Sequence, residues 1–321
     1  MLKTRVAVLR GGPSAEYDMS LQTGASVLKS LPEKYHPIDV LISKDGAWYR
    51  SGVAVLPYQA LKDIDVVFNA LHGAYGEDGK VQRDLDAMKI PYTGSGSIAS
   101  AIGMNKILAK KRFEQEGIKT PLSRAVDGAG DLERQLTDIF RTMPHPVVIK
   151  PSSSGSSLGV SISSTFEESL AGVKEALRHS PQAIVEEYIK GREATCGVVE
   201  NYREHGVYAL FPIEIIPKDN PFYNYQAKYE DETVFVCPAL FSHTVKRELE
   251  ALAIKVHKAL DLRHYSRTDF IVSPKRGIYA LETNTLPGLN SHSLIPKSLN
   301  AVGFAFPDFL DHVLQLALTS A

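Results

Sequence analysis

The chain has 321 residues, of which 44% are hydrophobic and 23% are charged, and its formal net charge is −1 at pH 7. This length allows two or three domains, and the balanced charge argues against nucleic acid or an anionic membrane as a partner. The apolar runs are too short to span a bilayer and the first residues lack a signal-peptide pattern, so we expect a cytoplasmic protein.

Strands and helices alternate over residues 1–95. Val6–Leu9 is a short apolar strand that runs into Gly11-Gly12-Pro13-Ser14, and apolar residues then recur at helical spacing. This order resembles the start of a nucleotide-binding α/β unit, although the full G-x-G-x-x-G fingerprint is absent. The pattern favours a Rossmann-like domain with a parallel sheet covered by helices. Its other predicted elements are strands at Pro37–Ile42, Val66–Asn69 and Ile90–Thr93, and a helix at Lys80–Met88.

Residues 96–191 are predicted to form a second domain around a serine- and glycine-rich loop. This loop, Pro151–Gly159, follows an apolar strand that ends at Lys150, and its N–H groups and hydroxyls could wrap a polyphosphate. It is not a Walker A loop, and loops of this composition are often simply flexible. The other predicted elements are helices at Ala99–Glu116 and Phe166–Leu177 and strands at Val160–Ser163 and Ala183–Tyr188.

Residues 192–321 are predicted to form a third domain with α+β structure. Its polar, tyrosine-rich loop from Pro217 to Thr233 is too long for a simple connection, so we expect a lid over a binding site. Cys196 and Cys237 lack metal-ligand spacing, so neither a zinc site nor a disulfide framework is expected. The predicted regular elements are strands at Thr195–Val199 and Tyr208–Ile216, helices at Val245–Leu260 and Phe306–Leu318, and a hairpin.

The hairpin joins two apolar strands through Ser-Pro-Lys-Arg-Gly, which has turn chemistry. With a four-residue loop, Pro274–Gly277, three cross-strand pairs follow: Ser273 with Ile278, Asp269 with Glu282, and Arg267 with Asn284. Side chains alternate along a strand, so the polar groups of the last two pairs share one face. The opposite face is predicted to carry the apolar side chains of Phe270, Val272, Tyr279 and Leu281.

The opposed carboxylates of Asp269 and Glu282 predict a metal site. Two such groups destabilise a hairpin unless a cation lies between them. With Asn284 they form an all-oxygen set that suits magnesium. The alternative is an ordinary solvated face with an Arg267–Asp269 pair, and a register slip of one residue would remove the metal prediction.

Other candidate groups lie at strand ends and in loops. Glu16 and His72 each follow a strand end, where ligands bind in open α/β sheets, although Glu16 could simply favour a helix N-terminus. Lys106 and Lys150 could be surface lysines, but together with a magnesium hairpin they indicate phosphoryl transfer. Four residues at the end of the middle segment could bind adenine and ribose: Glu186, Glu187, Tyr188 and Glu193. Alternatively, these acids are ordinary surface residues.

Motifs along nearly the whole chain resemble those of the D-alanine:D-alanine ligases of the ATP-grasp superfamily, in the same order. In the first third they are Gly11–Glu16 with Ser20, Leu71–Gly73, Gly76–Gly79, Pro91–Ser95 and Met104–Lys106. In the remainder they are Val148–Pro151, Gly155–Gly159, Ala227–Tyr229, Arg267–Asp269, Glu282–Thr285, Pro287–Gly288 and Ser291–Leu294.

The resemblance implies a three-domain ATP-grasp fold, α/β overall and α+β in its C-terminal part. It implies an enzyme that uses ATP to join two D-alanine molecules through D-alanyl phosphate, releasing ADP and phosphate, for peptidoglycan precursor synthesis. It further implies two Mg²⁺ ions, replaceable by Mn²⁺, and a homodimer.

The resemblance also implies a role for each matching residue. The ATP phosphates would bind Lys106, Lys150, Ser156 and Ser157; adenosine would bind Glu186, Glu187, Ile189 and Glu193; and the metal ions would bind Asp269, Glu282 and Asn284. Glu16 would bind the ammonium group of the first D-alanine, and His72 would lie near its carboxylate. Lys228 would also bind substrate, and the second D-alanine would bind Ser293 and Leu294. Arg267 and the N–H of Gly288 would stabilise an oxyanion. A hydrogen-bonded set would tie the lid shut: Glu16, Ser156 and Tyr229.

Some positions depart from the family pattern. Glu187 replaces a lysine that often touches adenine, and Ser153 and Ser154 replace a charged pair in the phosphate loop. Leu286 replaces a smaller or sulfur-bearing residue. These departures bear on nucleotide affinity and on the second-substrate pocket, and none removes a catalytic group.

Two alternative functions are open at the level of sequence. One keeps the fold and chemistry but takes D-serine, D-lactate or another amino acid as the second substrate. Tyr229 is absent from the related D-alanine:D-lactate ligases, so its presence favours an amine nucleophile. The other alternative is a nucleotide-binding regulator without turnover, which is disfavoured by the intact set Arg267, Asp269, Glu282 and Asn284.

Overall fold

The structure, a computed structural model, describes residues 3–156, 158–217 and 233–319. The predictions on Ser157, Lys228 and Tyr229, and on the proposed lid apart from Pro217 and Thr233, lie outside these residues. Within the described residues the chain forms three sheets that follow one another along the sequence.

The first sheet confirms the predicted parallel α/β order. Its elements are β1 (Thr4–Gly11), α1 (Tyr17–Ser30), β2 (Tyr35–Ile42), β3 (Trp48–Arg50), β4 (Val53–Val55), α2 (Pro57–Ala60), β5 (Val66–Asn69) and α3 (Lys80–Ala87). The strand order is β4-β3-β2-β1-β5, with β2, β1 and β5 parallel. The predicted strand Ile90–Thr93 is wrong. That segment forms only an isolated bridge from Tyr92 to Val67, because Pro91 has no N–H for a ladder.

The second sheet is antiparallel throughout, with strand order β6-β9-β7-β8. Its elements and the helices before it are α4 (Ser97–Met104), α5 (Lys106–Gln115), β6 (Ser123–Asp127), α6 (Leu132–Thr142), β7 (Val147–Pro151), β8 (Ser161–Ser163), α7 (Phe166–Ala176) and β9 (Gln182–Glu187). α6 and α7 cover one face, where Ile149 and Val185 are buried. Alternation along the strands therefore puts Lys150 and Glu186 on the opposite face.

The helix predicted at Ala99–Glu116 is two helices, because Asn105 interrupts it. Asn105 has φ −89° and ψ 102°, and its Oδ1 accepts the backbone N–H groups two and three residues later at 3.1 Å. Asparagine is a favoured N-cap. The break makes Lys106 the first residue of α5, where its N–H donates to Ser152 O at 2.8 Å.

The third sheet is larger, and all of its strand pairs are antiparallel. Its elements are β10 (Arg192–Glu200), a 3₁₀ turn (Tyr202–Glu204), β11 (Val207–Ala209), β12 (Ile213–Pro217), β13 (Thr233–Val236), α8 (His243–Ala259), β14 (Tyr265–Ser273), β15 (Gly277–Asn284), α9 (Leu294–Ala301) and α10 (Phe306–Thr319). The strand order is β13-β12-β10-β14-β15, and β11 also pairs with β10. The predicted strand Tyr208–Ile216 is therefore two strands, with Pro212 between them.

The hairpin β14–β15 confirms that Asp269 faces Glu282, but it reaches this pairing by another route. The turn is one residue shorter than predicted, so Ser273 pairs with Gly277 instead of Ile278. A β-bulge between Glu282 and Ala280 then leaves Leu281 as an extra residue and restores the register. A shorter loop and a bulge have opposite effects on register, and neither is visible in the alternation of side chains.

The predicted apolar face of the hairpin is wrong for two residues. Tyr279 and Leu281 pack with Ile271, on the face that also carries Asp269. Ile278 and Ala280 take their place beside Phe270 and Val272, in a core under α8. The shorter turn is the physical reason, because it shifts β15 by one residue against β14 and so places Tyr279 and Leu281 on the other face. The bulge then returns Glu282 to the position opposite Asp269.

Helix α10 packs against the first sheet. Its Phe309 and Val313 are fully buried in the same core as Val6 and Phe68. Among the described helices none alone is long and apolar enough to cross a bilayer. The pair α9 and α10 passes that length and composition test only jointly, and the two helices are bent by 104° at the break between them.

Candidate active site

A cavity of about 820 Å³ lies between the three sheets. Its walls come from the loops after β1 and β5, the Ser/Gly loop after β7, the β9–β10 connection, the hairpin β14–β15 and the segment before α9. Every predicted site residue in the described part of the chain lines it: Glu16, His72, Lys106, Lys150, Ser156, Glu186, Glu187, Ile189, Glu193, Arg267, Asp269, Glu282, Asn284, Gly288, Ser293 and Leu294. Motifs spread over the whole sequence therefore converge on one place.

The two opposed acids of the hairpin each have a basic partner. Arg267 Nε donates to Asp269 Oδ1 at 3.1 Å, and Lys106 Nζ lies 3.1 Å from Glu282 Oε2. Asn284 Nδ2 donates to Asp269 Oδ2 at 3.1 Å. The side chains of Asp269 and Glu282 are 22% and 33% exposed, so they form a partly buried cluster and not the solvated face of the alternative interpretation.

The chemistry of this cluster fits magnesium. Two carboxylates and one amide provide hard oxygen atoms on adjacent strands. In the described ranges no group of three His, Cys, Asp or Glu side chains is placed for one ion, so Asn284 and substrate oxygens would have to complete a magnesium shell. The basic partners of both carboxylates indicate that this pair requires nearby positive charge, which a divalent ion would also supply.

The two lysines predicted to bind phosphates enter the cavity from different elements. Lys106 is 8% exposed, and its Nζ also donates to Ser154 O in the Ser/Gly loop at 2.7 Å. Lys150 Nζ lies 2.9 Å from Glu186 Oε2. Burial acts to lower the pKa of Lys150, but the neighbouring carboxylates of Glu186 and Glu282 outweigh it and raise that pKa. Lys150 is therefore held as a cation inside the cavity.

Glu186, predicted to hold adenosine, is 1% exposed and lies between two lysines. Lys110 Nζ is 3.0 Å from its Oε1, and Lys150 Nζ contacts its other oxygen. Burial acts to raise the pKa of Glu186, yet the two ammonium groups outweigh burial and lower it. Sequence analysis missed Lys110. Its spacing of four residues from Lys106, which puts both on one helical face, was the available signal.

The side of the cavity predicted to hold adenosine combines an apolar wall with an ion pair. Ile189 packs with Ile271, and Leu281 of the bulge packs against them. Glu187 Oε2 accepts a hydrogen bond at 2.7 Å from Nη1 of Arg276, which lies in the turn of the hairpin. The acid that departs from the family pattern is therefore paired by a residue of its own chain.

The loop after β1 meets the Ser/Gly loop at Glu16. Ser156 Oγ donates a hydrogen bond to Glu16 Oε1. A Cβ added at Gly73 or at Gly155 would lie only 2.6 or 2.8 Å from Glu16 Oε2, so both glycines allow this close approach. Two members of the predicted lid network are thus in contact, and the third, Tyr229, lies outside the described residues.

The segment that carries Gly288 is fixed by a buried acid that sequence analysis missed. Glu77 Oε2 accepts the N–H of Leu286 at 3.2 Å, and Glu77 Oε1 accepts the N–H of Gly73 at 2.9 Å. Burial and the charge of Glu16 raise the pKa of Glu77 to about 7. Glu77 lies in one of the matching motifs, but its partner, 209 residues away, is not visible in the sequence.

The predicted pocket for the second D-alanine lies at the start of α9. Ser293 is the N-cap position of α9, and its Oγ donates to Asn290 Oδ1 at 3.0 Å. Leu286, the departure before Pro287, is 2% exposed and packs in the core beside α10. Its methyl group would be 2.8 Å from a Cβ at Gly94. The leucine therefore belongs both to this core and to the lining of the cavity, next to the turn that follows the first sheet.

Comparison with protein families covers most of the chain. A model described as D-ala D-ala ligase C-terminus matches residues 113–315, and one described as D-ala D-ala ligase N-terminus matches residues 5–60 and 53–95. The D-alanine--D-alanine ligase of Geobacter sulfurreducens is 39% identical over 315 residues, which cover 97% of this chain and 93% of that protein. The D-alanine--D-alanine ligase of Geotalea uraniireducens is 40% identical over 319 residues, covering 98% and 96%.

Solved structures of similar fold also span the whole chain. D-alanyl-alanine synthetase A of Vibrio cholerae has a TM-score of 0.87 and 27% identity, with 100% of each chain covered. The VanG D-Ala:D-Ser ligase of Enterococcus faecalis has a TM-score of 0.86 and 28% identity, covering 98% of this chain and 100% of that one.

Proposed function

This chain belongs to the D-alanine–D-alanine ligase family, and from that premise we propose that the cavity binds ATP, magnesium and two D-alanine molecules through the residues described above. The chain is an ATP-dependent ligase with an ATP-grasp fold. It joins two D-alanine molecules into D-alanyl-D-alanine through D-alanyl phosphate, releases ADP and phosphate, and serves peptidoglycan precursor synthesis.

The first chemical step activates the carboxylate of the first D-alanine. A carboxylate oxygen is a poor leaving group, and transfer of the γ-phosphoryl group of ATP to it gives D-alanyl phosphate and ADP. In our proposal Lys106 and Lys150 bind the phosphates and neutralise their charge. Two Mg²⁺ ions, or Mn²⁺ in their place, would be held by Asp269, Glu282 and Asn284 and would supply further positive charge at the phosphates.

The second step is attack by the amine of the second D-alanine on the acyl phosphate. The amine must be unprotonated, a tetrahedral oxyanion forms, and phosphate leaves. We assign stabilisation of this oxyanion to Arg267 and the N–H of Gly288, and binding of the second D-alanine to Ser293 and Leu294. Their place in the lining of the same cavity, with Ser293 hydrogen-bonded to Asn290, supports this assignment.

Water has to be excluded, because it would hydrolyse the acyl phosphate. Glu16 is assigned to the ammonium of the first D-alanine and His72 to the neighbourhood of its carboxylate. The bond from Ser156 to Glu16 supports a closure in which the Ser/Gly loop follows the first substrate. The lid, residues 217–233 with Lys228 and Tyr229, is proposed to cover the same place.

The observation that carries the proposal is the opposition of Asp269 and Glu282 next to Lys106 in one cavity. The test is formation of D-alanyl-D-alanine from ATP and D-alanine, measured with magnesium and after chelation. We expect product only with the metal. Equal activity after chelation, or ATP turnover without dipeptide, would contradict the proposal. Parallel reactions with D-serine or D-lactate added measure how strictly the second site selects D-alanine.

Three further points belong to the same proposal: domains at 1–95, 96–191 and 192–321, a homodimer, and a cytoplasmic location. One sheet in each range supports the division, although Ala109 and Phe113 of α5 share a core with α8. Exposed Val53, Leu56 and Tyr58, near the edge strand β4, support association. The use of ATP supports the cytoplasmic location. Light scattering tests the homodimer, and cell fractionation tests the cytoplasmic location.

A further inference from the structure

Three side chains from the first part of the chain hold the backbone on both sides of Gly288. Glu77 Oε2 accepts the N–H of Leu286 at 3.2 Å, and His72 Nδ1 donates to Leu286 O at 2.9 Å. On the other side, the N–H of Leu289 donates to Thr23 Oγ1 at 3.4 Å. The segment 286–289 is therefore fixed at three backbone atoms, and Gly288 lies inside the fixed stretch.

Further hydrogen bonds connect Thr23 directly to His72, and Glu77 to the backbone of the residue that follows His72. Thr23 Oγ1 and His72 Nε2 are 2.8 Å apart, and Glu77 Oε1 accepts the N–H of Gly73 at 2.9 Å. Thr23, His72 and Glu77 are 1%, 4% and 8% exposed. Because a carbonyl oxygen only accepts, His72 Nδ1 must carry the proton toward Leu286, and both ring nitrogens are engaged in this framework. Two of its members, His72 and Glu77, line the cavity.

From this geometry we infer that Glu77 is a positioning residue for the second chemical step. Together with His72 and Thr23 it fixes the Gly288 N–H where the tetrahedral oxyanion develops. The inference rests on the proposed function, because it requires Gly288 to face that oxyanion. An oxyanion-hole donor works only when it is already at hydrogen-bond distance from the developing charge, so a small shift of the segment weakens it.

The inference separates the two steps of the reaction. Phosphoryl transfer to the first D-alanine creates no tetrahedral carbon, so it does not need the Gly288 N–H. Attack by the second amine does need it. A purely structural role of Glu77 would instead lower both steps together, through loss of folded protein.

The test uses Glu77→Gln in the full chain. Glutamine keeps the shape, but its NH₂ group must face either the Gly73 or the Leu286 N–H, so one of the two hydrogen bonds is lost. ATP labelled with ¹⁸O in the β,γ-bridge reports the first step, because reversible formation of D-alanyl phosphate moves the label to non-bridging positions. Dipeptide formation reports both steps.

We expect dipeptide formation to fall about 10- to 100-fold in Glu77→Gln while isotope scrambling continues, so the ratio of scrambling to product rises by the same factor. The KM for ATP should not change. Thr23→Val, which removes the hydroxyl between His72 and Leu289, should raise the ratio in the same direction by a smaller factor. This second variant decides the question if Glu77→Gln does not fold.

Glu214→Gln is the matched control. Glu214 is also buried, at 2% exposure, and also accepts a backbone N–H, that of Leu240 at 3.2 Å, but it lies outside the cavity lining. In Glu214→Gln the ratio of isotope scrambling to dipeptide product should equal that of the unchanged protein. The inference is overturned if the ratio stays constant in folded Glu77→Gln and Thr23→Val, or if Glu214→Gln raises it equally. A wild-type protein without dipeptide formation would overturn the proposed function itself.

Discussion

Each of the two acids proposed as metal ligands forms an ion pair with a basic side chain in this structure. Lys106 lies beside Glu282, and Arg267 lies beside Asp269. Under the proposed function the same lysine has to bind ATP phosphates, so a metal ion at Glu282 would free its ammonium group for the nucleotide. Binding of metal and binding of ATP should therefore strengthen each other.

The first prediction concerns Glu282→Gln. The amide keeps the size of the side chain but removes the charge that holds a divalent ion, so turnover should fall by roughly two orders of magnitude or more. Calorimetry should show that magnesium no longer increases the affinity for ATP in this variant. Because the side chain is partly exposed, thermal unfolding should change little. Near-normal turnover would refute the metal assignment.

His264 gives a prediction about pH. Its Nδ1 accepts the N–H of Gly94 at 3.0 Å, which ties the turn after the first sheet to the start of β14. Burial, with the charge of Arg263, lowers the pKa of His264 to about 4, against the opposing effect of Glu200. His257 and His312 also lie near it.

The unfolded protein binds the proton near pH 6.5 and the folded protein only near pH 4, so stability is present above pH 6.5 and is lost as pH falls toward 4. His264→Asn keeps an acceptor and tolerates the φ of +65°, but it does not titrate. Between pH 7.5 and pH 5 the wild type should lose on the order of 1–2 kcal/mol more than the variant in urea unfolding. Parallel losses would contradict the prediction.

At the scale of elements, the sequence predicts the sheets and their chemistry better than the breaks between elements. Apolar alternation locates β14 and β15 and the acids on them, because the core requires that pattern. The bulge at Leu281 and the break at Asn105 depend on single residues whose effect appears only after packing. Contacts between distant segments, such as Glu77 with Leu286, leave no periodic signal at all.

The break at Asn105 leads to a prediction about α5. Asn105→Ala removes the cap of this helix and should cost about 1 kcal/mol of stability. Because Lys106 is the first residue of α5, its ammonium should also lose its fixed position and the affinity for ATP should fall severalfold. Titration calorimetry measures the latter.

The control for this variant is Asp131→Ala. Asp131 caps α6 through the N–H of Arg134 at 3.1 Å, on the covered side of the second sheet. It should lose similar stability and keep the affinity for ATP. If both variants bind ATP like the unchanged protein, the cap does not position Lys106.

At the scale of the whole molecule, closure over the cavity should control the fate of the acyl phosphate. Tyr229→Phe removes the hydroxyl proposed to join Glu16 and Ser156. In this variant, ATP hydrolysis without dipeptide formation should increase, or formation of the ester product with D-lactate should increase. Phosphate release and product formation measured side by side give the ratio. If neither changes, the proposed lid network is wrong.

Helix α10 has a consequence for how this protein is made. Its Phe309 and Val313 fill the core under β1 and β5, two strands that are translated well before α10. Until α10 has been translated, Val6 and Phe68 lack their cover, and the nascent first sheet presents an apolar surface that a chaperone could recognise. Completion of the core of the first sheet therefore waits for a helix that is translated much later than its strands.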